Sequence, residues 1–204
     1  MLVETAAEAR PVVVGPDGSP GTPLFVLVGG VPGAGKSTLL ARIAGEGGGA
    51  TVVDPDVQRR WFAAVLPSWV PYRSYRYVVH TVHALRTLWQ VLRGPARERR
   101  VLMVHDPATR PRRREVLARL ARARGWRPVL VVIDVPMEAA LAGQLERGRV
   151  VGSRSFAGHW ERWSAQRSGL AGAAVGQGSA GAWAGVHVVG RASALSQVRV
   201  LLGG

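Results

Sequence analysis

The chain has 204 residues and a mass of 21.7 kDa, and 47% of its residues are hydrophobic, which suits the core of one domain. It contains no cysteine, so disulfides, thiolate nucleophiles and cysteine-ligated metals are excluded. Its 27 basic residues exceed its 13 acidic residues and give a net charge of +14, which favours polyanionic partners. All but one of the basic residues are arginine, so the excess fits a compositional bias equally well.

Residues 1–23 are rich in glycine, proline and alanine, and we interpret them as a flexible leader or a small edge hairpin. They lack the basic region and apolar run of a signal peptide. No apolar stretch of the chain approaches the length of a membrane span. The expectation is therefore a cytoplasmic protein without a membrane partner, in which residues 24–204 form one domain.

From Leu24 onward, short apolar runs alternate with helix-like segments. Strands that are apolar on both faces are typical of a parallel sheet covered by helices. Strands are predicted at 24–28, 51–53, 101–104, 129–133 and 186–189, and helices at 36–44, 55–66, 72–92, 112–123, 136–144 and 192–202. This alternation predicts a three-layer α/β fold with a central parallel sheet of about five strands. Residues 169–185, rich in glycine and alanine, are predicted to form a flexible connection before the last strand.

A glycine-rich sequence at residues 30–38, GVPGAGKST, follows the first strand and begins a helix. It fits the pattern G-x-x-x-x-G-K-[ST], in which backbone N–H groups and the helix N-terminus surround an anion. Lys36 would reach the β- and γ-phosphates of a nucleotide, and the Ser37 hydroxyl would bind Mg²⁺. The predicted nucleotide-binding residues of this cradle are Gly30, Gly33, Ala34, Gly35, Lys36, Ser37 and Thr38.

With this cradle, the sequence resembles the P-loop NTPases, including AAA-type ATPases, and among them the small kinase-like branch. That branch contains polynucleotide 5′-hydroxyl kinases, zeta toxins, chloramphenicol phosphotransferase and gluconate kinases. The resemblance runs from about Leu24 to about Arg167. It implies a P-loop fold with a helical lid, and ATP and Mg²⁺ as cofactors. It also implies transfer of the γ-phosphate to a hydroxyl of a small molecule or of a nucleic-acid 5′ end.

Two acidic residues follow the second strand, Asp54 and Asp56, and Arg59 comes one helical turn later. The carboxyl ends of parallel strands are where α/β folds bind ligands, and a carboxylate there can take the proton of an acceptor hydroxyl. Asp56 and Arg59 resemble the acid-x-x-Arg arrangement of polynucleotide-kinase-like enzymes, so Asp56 is predicted to be the base and Arg59 the acceptor clamp. The alternative is an aspartate that caps a helix begun by proline, and it is favoured for Asp54.

His105 and Asp106 end the third predicted strand. This segment resembles the Walker B region of the same branch, so Asp106 is predicted to hold Mg²⁺ together with Ser37, through a water molecule. The alternative for Asp106 is a turn-forming aspartate before a proline. His105 is predicted to be structural or to hydrogen-bond to a site residue.

Further arginines are candidates for phosphate contacts. In the resembling kinases the segment at about 145–165 is a mobile lid, so Arg147, Arg149 and Arg154 are lid candidates, and a solvated basic loop is the alternative. Arg147 and Arg149 are assigned catalytic roles. Arg191, after the last strand, is predicted to pack on adenine. The arginine-rich segment at 110–114 would bind an acceptor phosphate or form a charged helix face.

Aromatic residues alternate with basic ones between residues 61 and 89. They would suit stacking on an acceptor ring and gripping a phosphate. Plain core packing is the favoured alternative, because Trp61, Tyr77 and Trp89 fit helix core spacing, as do Val78, Leu85 and Leu88. His80 and His83 share a helix face, but without a third ligand they do not predict a metal site.

The sequence thus favours an Mg²⁺-dependent ATP phosphotransferase that acts on a hydroxyl of a small molecule. A polynucleotide 5′-hydroxyl kinase is the first alternative, supported by the net charge of +14. The second is a nucleotide-switched binding protein or plain ATPase that uses the cradle without an acceptor. The identity of the acceptor and the oligomeric state are not indicated by the sequence.

Overall fold

The computed structural model of the chain describes residues 22–46, 50–97, 99–107, 109–146 and 153–203. These residues form a parallel sheet of five strands covered by helices, so the predicted three-layer α/β fold is confirmed. The strands are β1 (Leu24–Gly29), β2 (Ala50–Val53), β3 (Val101–His105), β4 (Arg127–Ile133) and β5 (Gly185–Val189). The helices are α1 (Lys36–Gly45), α2 (Pro55–Val65), α3 (Tyr72–Arg93), α4 (Pro111–Ala123), α5 (Met137–Leu145), α6 (Ser153–Ala174) and α7 (Ala194–Leu202).

The strand order is β2-β3-β1-β4-β5, with β1 at the centre. Every residue of β1 is buried, and Val26 lies opposite Met103 of β3 and Val129 of β4. All pairings are parallel, so the carboxyl ends of the five strands meet at one edge of the sheet. The cradle follows β1 and therefore lies at the middle of this edge, which we call the site edge.

The flexible connection predicted at 169–185 is wrong in its first part, because α6 continues to Ala174. Glycines weaken a helix, but here Trp163 and Leu170 bury one face of α6 in the core, and that burial outweighs the low propensity. The segment after α6 is also anchored. Trp183 is buried with its ring 6.3 Å from the ring of Phe25, and the Ala184 amide donates to the carbonyl of Pro128 at 2.8 Å.

Trp183→Ala is expected to lower the free energy of unfolding by about 3–5 kcal/mol, because it removes a large buried ring from the core. Trp69→Ala is the matched control, since the Trp69 side chain is 81% exposed, and it is expected to cost less than about 1 kcal/mol. Urea unfolding followed by circular dichroism measures both values. Equal losses in the two variants would show that the segment before β5 does not anchor the core.

The core packing favoured for the aromatic stretch is wrong for several residues of α2 and α3. Trp61 is 60% exposed, Tyr77 86% and Trp89 53%, and Val78, Leu85 and Leu88 are exposed as well. The buried face of α3 is instead mostly polar and consists of Val79, His83, Thr87, Gln90 and Val91. Apolar residues lie all around this helix, so periodicity alone did not show which face meets the sheet.

Among the described residues, no helix is both long and apolar enough to cross a membrane. The proposed leader falls outside the described residues except for Thr22 and Pro23. The carbonyl of Pro23 accepts a hydrogen bond from the Arg127 amide at 2.8 Å, which joins the start of β1 to the start of β4. Arg147 and Arg149 also lie outside the described residues, as does the side chain of Arg154.

Candidate phosphate-transfer site

The cradle forms a tight turn between β1 and α1 because two of its glycines pack against neighbouring backbone. Gly30 has φ +138°, and a Cβ there would come within 2.7 Å of the Ile133 carbonyl oxygen. Gly33 has φ +88°, and a Cβ there would overlap the carbonyl oxygen of Ala140. Only glycine satisfies both the conformation and the space at these positions. The loop is thereby fixed against α5 with its backbone at the N-terminus of α1.

Lys36 lies at the first position of α1 and is buried. Its Nζ donates to the carbonyl oxygens of Gly30 at 2.6 Å and Val31 at 2.9 Å. These contacts hold a full positive charge inside the cradle. The helix N-terminus adds a partial positive charge at the same place, so the cradle favours a bound anion.

Ser37, Asp54 and His105 meet at the site edge, where β1, β2 and β3 end. Ser37 Oγ lies 3.3 Å from Nδ1 of His105, and the same nitrogen lies 3.0 Å from Oδ1 of Asp54. Asp54 also caps α2, as predicted, because Oδ1 accepts from the Asp56 amide at 2.9 Å. Burial alone would raise the pKa of Asp54, but hydrogen bonds from His105, Asp56 and Ser37 and the charge of His105 outweigh it and lower the pKa to about 2.

The oxygen donors at this point suit magnesium. The Ser37 hydroxyl and the buried carboxylates of Asp54 and Asp106 are the hard ligands that Mg²⁺ takes in nucleotide sites. The Asp106 amide donates to the Val28 carbonyl at 3.1 Å, which ties the end of β3 to β1, and its carboxylate lies 3.4 Å from Arg113. No preformed cluster of three or more candidate metal ligands occurs among the described residues. The residues therefore fit an ion that arrives with phosphate oxygens and water rather than a fully protein-bound one.

The sequence analysis favoured a capping role for Asp54 and missed its proximity to the cradle serine. The cap and the site contact use the same carboxylate, so the capping pattern hid the second role. The order β2-β3-β1 places the end of β2 two strands from the cradle, and His105 of β3 fills that distance. Without the strand order, the sequence could not show that Asp54 lies near Ser37.

Asp56 and Arg59 lie together at the start of α2. Arg59 Nε is 3.9 Å from Asp56 Oδ1, and the Arg59 guanidinium carbon lies 5.6 Å from the centre of the Tyr72 ring. The Nε atom is buried without a hydrogen-bond partner among the described residues. The side chain of Arg59 is thus held between a carboxylate and an aromatic face, with a donor left over.

A cavity of about 250 Å³ opens on the other side of the cradle, between α1, α5 and the segment after β5. Its lining consists of Gly33, Gly35, Thr38, Leu39, Arg42, Ile133, Gly143, Glu146, Arg191, Ala194 and Leu195. Arg191 donates to the carbonyl oxygens of Gly33 at 2.7 Å and Ala139 at 2.8 Å, and so joins the cradle to α5. The cavity therefore lies directly beside the phosphate cradle.

Comparison with known proteins agrees with this geometry. A family model described as "AAA domain" matches residues 25–171, which include the cradle, Asp54, Asp56 and Asp106. The chain belongs to this family of AAA domains. A P-loop domain of this kind implies nucleotide binding. No curated protein matches the sequence.

Solved structures show how far the AAA domain resembles known folds. A gluconokinase from Sinorhizobium meliloti 1021 has 16% sequence identity and a TM-score of 0.53, and the match covers 89% of this chain and 93% of that one. A structure of the PezAT chromosomal toxin-antitoxin system of Streptococcus pneumoniae has 19% identity and a TM-score of 0.49. That match covers 62% of this chain and 53% of the other chain. At 16% identity, the likeness to the gluconokinase shows the fold alone.

His83 connects α3 of the AAA domain to the site edge. Its Nε2 donates to the His105 carbonyl oxygen at 2.9 Å, and the ring is buried. Burial and the positive charges of His105 and Arg113 lower the pKa of His83 to about 4, against the opposing effects of this hydrogen bond and of Asp106. The folded protein therefore keeps this imidazole neutral at mildly acidic pH.

His83 is expected to make the folded state less stable as the pH falls from 6.5 to about 4. In this window the unfolded chain takes up the proton and the folded chain does not, which removes up to about 3 kcal/mol of stability. Urea unfolding of the wild type and of His83→Gln at pH 7.5 and 4.5 tests this expectation. The glutamine keeps a donor for the His105 carbonyl, and the pH-dependent loss should be smaller in the variant. An equal loss of stability in both proteins would show that titratable groups other than His83 cause the pH dependence.

Proposed function

We propose that the chain is an Mg²⁺-dependent ATP phosphotransferase that moves the γ-phosphate of ATP to a hydroxyl of a small molecule. The observation that carries this proposal is the arrangement of the site edge. A phosphate cradle follows β1, and a carboxylate paired with an arginine, Asp56 with Arg59, begins α2 after β2. An ATPase without an acceptor needs the cradle but not this pair. The likeness in fold to a gluconokinase supports the same class of reaction.

In the proposed reaction Asp56 accepts the proton of the acceptor hydroxyl, and the oxygen of that hydroxyl attacks the γ-phosphorus. The bond from that phosphorus to the oxygen bridging the β-phosphate breaks, and ADP leaves with the electron pair. Arg59 would hold the acceptor through its guanidinium group, and Lys36 would neutralise charge on the β- and γ-phosphates. Ser37 and Asp106, together with Asp54, would hold Mg²⁺, which when bound neutralises phosphate charge and orients the triphosphate.

In the proposed enzyme, the segment at about 145–165 is a lid over the nucleotide phosphates. Arg147, Arg149 and Arg154 would fold over the phosphates and exclude water during transfer, as the resemblance to the kinase branch implies. The cavity beside the cradle would hold the nucleoside, and Arg191 would contact the adenine from its wall.

A polynucleotide 5′-hydroxyl kinase is the second candidate. The net charge of +14 and the exposed rings of Trp61, Tyr77 and Trp89 on α2 and α3 favour it, since aromatic platforms with nearby arginines bind single strands. In this version of the proposal the acceptor is the terminal ribose or deoxyribose of a strand.

The test is ATP turnover with Mg²⁺ against a panel of hydroxyl compounds: sugars and sugar acids, nucleosides, aminoglycosides and a 5′-hydroxyl oligonucleotide. Transfer of radiolabelled γ-phosphate to one member establishes the phosphotransferase and its acceptor class. ATP binding or slow hydrolysis without any phosphorylated product would support the nucleotide switch or plain ATPase instead. Phosphorylation of the 5′-hydroxyl oligonucleotide would support the polynucleotide kinase, and phosphorylation of a small molecule alone would support the small-molecule kinase.

A further inference from the structure

Helix α3 presents an apolar stripe to solvent, away from the face that packs on the sheet. Five residues of this stripe follow one another at alternating steps of four and three positions, and each is between 37% and 61% exposed. They are Val78, Val82, Leu85, Trp89 and Leu92, and we call them the α3 seam. At 1.5 Å per residue the seam is about 21 Å long. Exposed apolar surface of this extent is typical of an interaction site.

The spacing of the α3 seam is that of a helix which pairs with another helix. In paired helices the residues that meet the partner recur at alternating steps of three and four, because the two helices wind around each other. Tyr77 and Leu88 lie beside the seam and are also exposed, so they widen the apolar surface. A helix that only covers its own sheet would turn such a stripe inward, where α3 instead has His83, Thr87 and Gln90.

Two arginines flank the α3 seam on one side. Arg86 directly follows Leu85 and Arg93 directly follows Leu92, so the two arginines occupy the same position in successive seven-residue repeats. The Arg93 guanidinium carbon lies 4.4 Å from the centre of the Trp89 ring, which holds this charge against the seam. In paired helices the flanking positions form ion pairs with the partner. The sequence of α3 contains four arginines and no carboxylate, so the negative charge must come from the partner.

Three other occupants fit the α3 seam less well. A second copy of the chain would bring the same arginines and no carboxylate on its own α3, so the flanking charges would stay unmatched. A single-stranded nucleic acid would match the charge, but its bases stack on rings, and four of the five seam residues are aliphatic. An anionic membrane would accept both kinds of side chain, but it does not require the four-and-three spacing.

We propose that the α3 seam binds an amphipathic helix of an acidic partner protein. That helix carries apolar residues at the same repeat, and Glu or Asp at the positions that face Arg86 and Arg93. The apolar contact supplies most of the affinity, whereas the exposed ion pairs add little affinity and select the partner. This surface does not depend on the proposed phosphotransfer, because no seam residue belongs to the cradle or to the Asp56–Arg59 pair.

A synthetic acidic peptide of about four heptads, with Leu at the pairing positions and Glu at the flanking positions, is the probe for the seam. The matched peptide has Lys in place of Glu. Fluorescence anisotropy of the labelled peptides with the full chain is expected to give a Kd about tenfold lower for the acidic peptide. Leu85→Asn should weaken binding of the acidic peptide by about tenfold or more. Val200→Asn changes a similarly exposed apolar residue of α7 and should leave binding unchanged.

Charge reversal separates a specific helix pair from attraction by the net charge of +14. Arg86→Glu combined with Arg93→Glu should reverse the preference, so that the basic peptide binds more tightly. Arg112→Glu combined with Arg122→Glu makes the same change in net charge on α4 and should leave the preference intact. The four arginines are exposed, so these variants should remain folded, and circular dichroism checks this.

The proposal is overturned if the two peptides bind the wild type equally, or if the double variants of α3 and α4 behave alike. Absence of binding of the acidic peptide up to about 100 μM refutes it as well. Sedimentation of a wild-type dimer that Leu85→Asn dissociates would instead assign the seam to a second copy of the chain. Vesicles of phosphatidylcholine with phosphatidylglycerol, and a single-stranded oligonucleotide, test the remaining occupants. If either binds through Leu85 while the acidic peptide does not, the partner helix is excluded.

Discussion

Asp56→Asn is expected to lower the rate of phosphoryl transfer by about 10²- to 10⁴-fold and to leave ATP binding unchanged. Asparagine has nearly the shape of aspartate and cannot accept the proton of the acceptor hydroxyl. The backbone amide of Asp56, which binds Asp54 at 2.9 Å, is retained in the variant, so the start of α2 should remain in place. Single-turnover transfer and equilibrium titration of ATP measure the two quantities separately.

Asp54→Asn is the matched control for this prediction. Asparagine caps a helix as well as aspartate, so α2 should begin at the same residue. The variant loses the negative charge beside Ser37 and His105, and its main expected effect is a higher Mg²⁺ requirement for ATP binding. Titration with Mn²⁺, observed by electron paramagnetic resonance, detects this effect without any turnover. If Asp54→Asn stopped transfer and Asp56→Asn did not, the roles of the two carboxylates would be reversed.

Lys36→Met is expected to weaken ATP binding by about 10- to 100-fold, because it removes a charge-assisted contact to the phosphates. Methionine matches the four-atom apolar stem of lysine, so the loss concerns the ammonium group. In the free protein that group donates to the carbonyls of Gly30 and Val31, and it already lies inside the cradle. The rate of transfer should also fall by about 10²- to 10³-fold, as for other donors that stabilise charge in a transition state.

AMP is the control ligand for Lys36→Met, because it lacks the β- and γ-phosphates. Its affinity should change much less than that of ATP if the lysine acts on those phosphates. Equal losses for AMP and ATP would show that the variant has a disturbed loop rather than a missing phosphate contact. A melting temperature for the variant, measured without ligand, separates this outcome from a loss of folding.

The sequence predicted the sheet and the cradle well because both depend on local patterns. Five apolar runs of strand length and a glycine-rich turn before a helix each specify a structure without reference to the rest of the chain. Contacts between residues that are far apart in the sequence could not be predicted from local patterns. Asp54 meets His105 across 51 residues of sequence, and only the strand order β2-β3-β1 brings the two side chains together.

Helix α3 shows a second limit. It has apolar residues on the face that contacts solvent and His83, Thr87 and Gln90 on the face that contacts the protein. The usual inference from apolar spacing to burial therefore selects the wrong side. His83 faces inward and donates to the His105 carbonyl at the site edge. The extension of α6 to Ala174 was missed for a similar reason, since burial of Leu170 compensates for neighbouring glycines.

The amine of Lys36 can serve as a chemical probe of the cradle. Lys36 is the only lysine of the chain, so apart from the α-amino group its Nζ is the only primary amine that an acylating reagent can modify. Because that amine is buried and bonded to the Gly30 and Val31 carbonyls, its reaction reports the opening of the loop. A nucleotide phosphate in the cradle would protect the same atom. The extent of acylation at one position, measured as a mass change, thus becomes a direct count of occupied sites.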